Sequence, residues 1–252
     1  MLDCGPEEFS EDGPEDPRLQ AEIRQALEGT PALQVLRFTE PPEVSERRLE
    51  IAAARHTRAE LTALLDARPT EQALAAFLKE DPSLLAERYA RPADEYICFS
   101  EFPVGDTGRV DFALLTGRSR MDVYLIELKG GKHALRRTDH YGSFRAAVQE
   151  GRDQLVRRAS WVERHYEEFC RFVHQVRRAV EAGQRPYRAF PGPKHRLLVD
   201  PEKDIKLHLI LIGGRTSREL EDSQARHRED QAARFHMETE TWDSWIRKLA
   251  RA

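Results

Sequence analysis

Apolar residues recur at helical spacing in some stretches of this chain and at strand spacing in others. The order of those stretches predicts its architecture. Residues 18–29 read as a short helix closed by Gly29, and "LQVLRFT" (33–39) as a strand. "PPEV" then breaks the chain, and Leu49, Ile51, Leu61, Leu64 and Leu65 suit one or two helices between Ser45 and Ala67. In "PTEQALAAFLKEDPSLL", Pro69 and Thr70 form a start signal. Ala73, Leu74, Phe77 and Leu78 follow at three- and four-residue spacing, and Asp81-Pro82 ends the run. Three strand-like runs come next: "YICFSEFPV" (96–104), "RVDFALL" (109–115) and "DVYLIELK" (122–129), separated by the turn-rich "GDTG" and "TGRSRM". A long helical region from about Ser143 to Ala182 has Gly151 as a candidate break. "KLHLILIGG" (206–214) is a fourth strand, "SRELEDSQARHREDQAARF" a polar helix, and "HMETETWDSWIRKLARA" a short extended piece with a terminal helix. No internal repeat is visible. Helices, three strands, a long helix, a strand and a helix predict an α/β layer design with a mixed central β-sheet.

Composition narrows this picture. The 252 residues allow one large domain, or one domain with a small appendage, and 33% of them are charged, so the surface is heavily ionic. No run of eighteen apolar residues exists and the N-terminus lacks the basic and apolar regions of a signal peptide, so no membrane association is expected. Cys4, Cys98 and Cys170 are scattered without a CxxC pair, which suits a reducing cytoplasm. The nine histidines show no HxxxH or His/Cys ligand cluster, so no zinc is assigned. The net charge of −4 hides an asymmetry. Residues 1–17 hold seven acids and no Lys or Arg, and without those seven charges the remainder carries +3. So polar a segment is expected to be a disordered acidic tail, either solubilising or competing weakly for a basic groove.

The candidate chemistry lies in "MDVYLIELKGG" (121–131), an apolar strand that ends with Glu127 and Lys129. Alternation puts Val123, Leu125, Glu127 and Lys129 on one face and Leu128 on the other. A hairpin centred near Ser119 sets Leu115 opposite Val123, Ala113 opposite Leu125 and Asp111 opposite Glu127, with directly opposed Cβ atoms ~5 Å apart. Two carboxylates and a lysine then converge beyond an apolar patch. Like charges repel, and a divalent cation relieves them; oxygen donors of this kind suit Mg²⁺ or Mn²⁺. The alternative is a surface salt bridge, worth ~0–1 kcal/mol.

"VD" (110, 111) followed by "ELK" (127–129) resembles the PD-(D/E)xK nuclease superfamily, with Val110 in place of the proline. The wider order "EQALAAFLKEDPSLL", "RVDFALL", "YLIELKGG", "AAVQEGRDQL", "LILIGGR" and "ETWDSWI", over roughly residues 67–250, is similar to the nuclease domain of the Shedu anti-phage defence proteins. The resemblance implies a restriction-endonuclease-like core over 67–252 and metal-dependent DNA cleavage in bacterial defence. Residues 18–66, a small and mainly helical N-terminal extension, inherit little from it.

By that resemblance Asp111 and Glu127 hold Mg²⁺, with the Leu128 carbonyl as a further ligand, and Lys129 positions water or neutralises charge on the phosphate. Gln154 best matches the family's helical glutamine, with Gln149 as the alternative register. Glu71 stands where a helix-borne carboxylate reaches the metal in many superfamily members, although acids also favour first turns for the helix dipole alone. Lys132, Arg136 and Arg137 follow the active strand and suit contacts with DNA phosphates. Arg152, Arg157, Arg158, Arg164, Arg171, Arg177 and Arg178 are interrupted by Glu163, Glu167 and Glu168, so part of that run reads as a solvated face. The long helical region suits a homo-oligomer interface, or packing on the sheet. Two rival readings keep the fold: an RNase or repair nuclease, and a non-catalytic nucleic-acid-binding or scaffold subunit.

Overall fold

The computed structural model describes residues 40–137 and 143–251. The acidic tail, the helix over 18–29 and the strand over 33–39 expected from the sequence lie outside those residues. Helix α1 (Pro42–Ala53) begins on the proline of "PPEV". At the first helical position the missing N–H would have had no partner, so this proline starts a helix where the sequence suggested a break. Helix α2 (Arg58–Asp66) opens with a capping box: Thr57 Oγ1 accepts from the Glu60 amide, and Glu60 accepts from the Thr57 amide at 2.6 Å. Thr70 caps α3 (Glu71–Glu80) by accepting from the Ala73 amide, as "PTEQ" predicted. Helix α4 (Ser83–Tyr89) follows directly after Asp81-Pro82.

Strands β1 (Tyr96–Pro103), β2 (Arg109–Thr116) and β3 (Asp122–Leu128) form an antiparallel meander within a residue or two of the expected bounds. The predicted register holds for Leu115 opposite Val123 and Ala113 opposite Leu125, and the pairing ends at Phe112 opposite Ile126, one residue short of Asp111 and Glu127. The long helical region is two helices, α5 (Ala146–Arg164) and α6 (Tyr166–Glu181), which break at His165. Gly151, the expected break, lies inside α5. A two-residue strand β4 (Phe190–Pro191) pairs with the far side of β1, and it is too short to show any alternation. Strand β5 (Lys206–Ile212) runs parallel to β3; after α7 (Glu219–Ala232), strand β6 (Met237–Glu240) runs parallel to β5 and leads into α8 (Trp242–Arg247). The sheet order is β4-β1-β2-β3-β5-β6, a mixed sheet of six strands where the sequence had shown four and a short extended piece.

Alternation along the strands divides the interior in two. Ile97, Phe99, Ala113, Leu115, Val123, Leu125, Leu209 and Leu211 face α5 and α6. Cys98, Phe112, Leu114, Ile126, Leu128, Ile210 and Ile212 face α2, α3, α4 and α8, with Trp242 and Trp245 the largest side chains of that layer. Leu61 and Leu65, in the stretch read as an N-terminal extension, belong to this second layer. The long helical region thus packs on the sheet. Helices on both faces of a six-stranded mixed sheet make this an α/β fold consistent with a restriction-endonuclease-like core. No helix among the described residues is long and apolar enough to cross a membrane.

Arg251 fastens the C-terminal end to the helical layer. Its guanidinium is 2.6 Å from both Asp81 Oδ2 and Glu87 Oε2 and donates to the His56 carbonyl at 2.9 Å. Asp81 is 2% exposed, so Arg251→Ala strands a buried carboxylate. The expected loss is about 3–5 kcal/mol, read as a lower urea midpoint with an unchanged m-value.

Candidate active site

Strand β3 carries its two terminal charges into the interior: Glu127 is 4% exposed and Lys129 7%. Ionised groups at that depth need partners. Glu127 Oε1 accepts from Lys129 Nζ at 3.3 Å, and Oε2 accepts from Arg158 Nη1 at 2.9 Å. Arg158, itself buried on α5, also donates to the Arg109 carbonyl at 2.5 Å, which fixes it against the end of β2. Lys129 Nζ lies 3.7 Å from Glu71 Oε1 at the start of α3.

Two glycines make room for the lysine. A Cβ at Gly151 would sit 2.9 Å from Lys129 Cε and 2.8 Å from Leu211 Cδ1, and one at Gly213 would sit 2.7 Å from Lys129 Cβ. The lysine backbone is held as well. Its amide donates to the Ile212 carbonyl at 2.8 Å, and its carbonyl accepts from Trp242 Nε1 at 2.8 Å. Asp243, the next residue, pairs with Arg215 at 2.9 Å and accepts from the Thr216 amide. The "GGR" and "TWD" segments therefore brace the active strand.

Asp111 arrives by a less regular route. Alternation along β2 fails there: Phe112 faces the second layer, yet Val110 faces the first with Ala113. Glu101, across from it on β1, has φ +54°, a strained value for a side chain with a Cβ. The Asp111 carboxylate accepts from the Leu128 amide at 2.7 Å, which places it beside Glu127. Glu101 is held by Lys79 at 2.5 Å. Neither Glu101 nor Arg158 stood out as a site residue in the sequence; a glutamate inside an apolar strand was the available signal for the first.

Among the groups that pair directly at this end of the sheet, three carboxyls, Glu71, Asp111 and Glu127, face two cations, Lys129 and Arg158, while Lys132 and Arg145 line the adjoining cleft. Burial and the neighbouring Asp111 push the Glu127 carboxyl up to about 7 against the pull of Arg158 and Lys129. Burial also raises Asp111 against the Leu128 amide and Lys129, and it raises Glu71 against the pull of Lys129. Among the described residues no three His, Cys, Asp or Glu side chains form a preformed metal cage. Two carboxylates instead fit Mg²⁺, which keeps several waters and takes one or two carboxylates plus substrate phosphate.

The other expected residues are placed as follows. Gln154 is half-buried on α5; its Nε2 donates to Glu150 Oε1 at 3.4 Å, and its Oε1 is buried without a hydrogen-bond partner. Gln149 is exposed and pairs with Asp153 at 2.9 Å. Lys132 is exposed and lines a cleft beside Lys129 and Glu71. Arg136 points to α7, with Asp222 at 3.8 Å and Glu221 at 4.0 Å; Arg137 is exposed. Of the arginine run, Arg152, Arg158 and Arg177 are buried in ion pairs, so they are not part of a solvated face.

Two outcomes test this arrangement. Helix propensity alone would make Gly151→Ala stabilising by about 1 kcal/mol. A Cβ there must push aside Leu211 Cδ1 and the Lys129 stem at 2.8–3.1 Å, so urea unfolding should show that gain cancelled, while Gly213→Ala, whose Cβ would meet Lys129 Cβ at 2.7 Å where no rotamer change relieves it, should lose about 1–3 kcal/mol. The second concerns pH. Glu127 has a folded value of about 7 against an ordinary 4.5, so without metal the folded state holds a proton that the unfolded state releases. Stability in EDTA should then fall as pH rises through that window, and Glu127→Gln should remove this part of the fall.

No curated protein matches the chain. Residues 68–246 match the family model described as Shedu protein SduA, C-terminal. The match covers more than half of the 252 residues and runs from Arg68, just before the cap of α3, to Ile246 in α8. It takes in Glu71, Asp111, Glu127 and Lys129, and the two segments that brace them. The chain therefore belongs to the Shedu family, and that membership gives it a role in anti-phage defence.

Proposed function

We propose that the chain is a metal-dependent endonuclease that hydrolyses phosphodiester bonds of DNA in anti-phage defence. The observation that carries this reading is the buried Glu127–Lys129 pair, at the end of β3, with Asp111 turned in beside it. Asp111, Glu127 and the Leu128 carbonyl would hold Mg²⁺, or Mn²⁺ in its place; when bound, the ion polarises a phosphate oxygen and acidifies water.

The chain's own groups supply the rest. Lys129, confined between Gly151 and Gly213, presents Nζ to the negative charge that develops on phosphorus-bound oxygen. Arg158 holds Glu127 Oε2 and so fixes the rotation of that carboxylate without occupying Oε1. Glu71, at the rim, draws Lys129 Nζ toward the cleft where substrate enters. Gln154, on the same helix as Arg158, offers its unpartnered Oε1 to orient water.

Nicking of supercoiled plasmid by wild type, Lys129→Ala and Glu127→Gln tests the proposal, with Mg²⁺, with Ca²⁺ and with EDTA. Wild type should cut with Mg²⁺ and not with EDTA, and Ca²⁺ should support little cutting. Each variant should fold and lose ~10²–10³ in rate. A parallel arm with RNA separates an RNase; equal, EDTA-insensitive activity in all three proteins would place the chemistry elsewhere.

A further inference from the structure

Beside Lys129 opens a cleft of about 290 Å³, walled by the loop after β3, the start of α3 and the start of α5. The basic side chains around the site divide by what they touch. Arg158 is taken by Glu127, Arg152 by Asp230, Arg215 by Asp243 and Arg136 by Asp222. Lys132 and Arg145 both line the cleft, and among the described residues neither makes an ion pair. Arg145 Nε is buried with no hydrogen-bond partner, a donor that is costly to leave unmade. The carboxylate in the wall, Glu71, is already drawn to Lys129.

Backbone hydrogen bonds join the segments that carry these two cations. The Gly214 amide donates to the Gly130 carbonyl at 3.0 Å, Arg215 to His133 at 2.8 Å, Leu135 to Arg215 at 2.9 Å and Arg145 to Leu135 at 3.0 Å. Arg215 is in turn locked by Asp243. The loop after β3 and the start of α5 are thus stitched together, with their free cations facing one cleft that reaches Lys129.

We infer that this cleft is a phosphate subsite: Lys132 and Arg145 take a DNA backbone phosphate next to the one cleaved, and act as positioning residues. The inference rests on the nuclease reading above. It departs from a simple basic loop, since Arg136 is engaged with α7 and Arg145 comes from a separate element.

The test is equilibrium binding of duplex DNA in EDTA across a salt series, for wild type, Lys132→Gln, Arg145→Gln and Arg157→Gln. The last is an exposed arginine of α5 outside the cleft. Each cleft variant should lower the slope of log affinity against log salt by about 1, while Arg157→Gln leaves it unchanged. In Mg²⁺ the cleft variants should raise KM more than they lower kcat, with thermal unfolding unaltered. Wild type that binds and cuts DNA while both cleft variants keep its slope and KM would overturn the subsite and spare the nuclease reading. Wild type that binds RNA and not DNA would overturn both.

Discussion

The burial of one ion pair governs this structure. Glu127 and Lys129 end an interior strand at 4% and 7% exposure, where an unpaired charge would cost several kcal/mol. Each neighbour answers that constraint. Arg158 reaches from the middle of α5 to the second carboxylate oxygen, Gly151 and Gly213 leave space for the lysine stem, and Trp242 holds the lysine carbonyl from the opposite layer. These partners come from α5, the end of β5 and α8, so the pair ties both helical layers to the centre of the sheet.

The compensation is deliberately incomplete. Asp111 is brought to the same end by a distortion shared between β1 and β2, with Glu101 at positive φ and the facing alternation of Val110 and Phe112 broken. Strain of this kind persists only where the surroundings enforce it. Here the Leu128 amide and the Lys79–Glu101 pair do so. The result is a carboxylate cluster in which burial first, and the neighbouring Asp111 second, push the Glu127 carboxyl up against the pull of Arg158 and Lys129, the electrostatic condition that suits a hard divalent cation.

Structural and open cations also separate cleanly around the site. Arg152 joins α5 to Asp230 and Thr239, and Arg215 joins the loop after β5 to Asp243 and Asp66. Both hold elements together. Lys132 and Arg145 line the cleft instead. Charge density along the chain does not distinguish these roles, because every one of these residues lies in a similarly ionic stretch.

By itself the sequence determined what depends on neighbours within a few residues. The alternation of "DVYLIEL" set one side of β3 against the other, the Thr70 cap and the spacing of Leu74 and Leu78 set α3, and the short turn around Ser119 set the register that pairs Leu115 with Val123 and Ala113 with Leu125. These follow from side-chain periods and turn geometry, which act locally. Only the tertiary structure decided the rest. Gly151 reads as a helix break until Lys129 is packed against it, and Arg158 reads as one arginine among many until its guanidinium meets a carboxylate 31 residues away. Gln149 is exposed and Gln154 half-buried, a difference set by how α5 packs and not by the sequence around them. Pairing of charges and close approach of backbones are properties of three-dimensional neighbours, and no local period encodes which distant residue those neighbours will be.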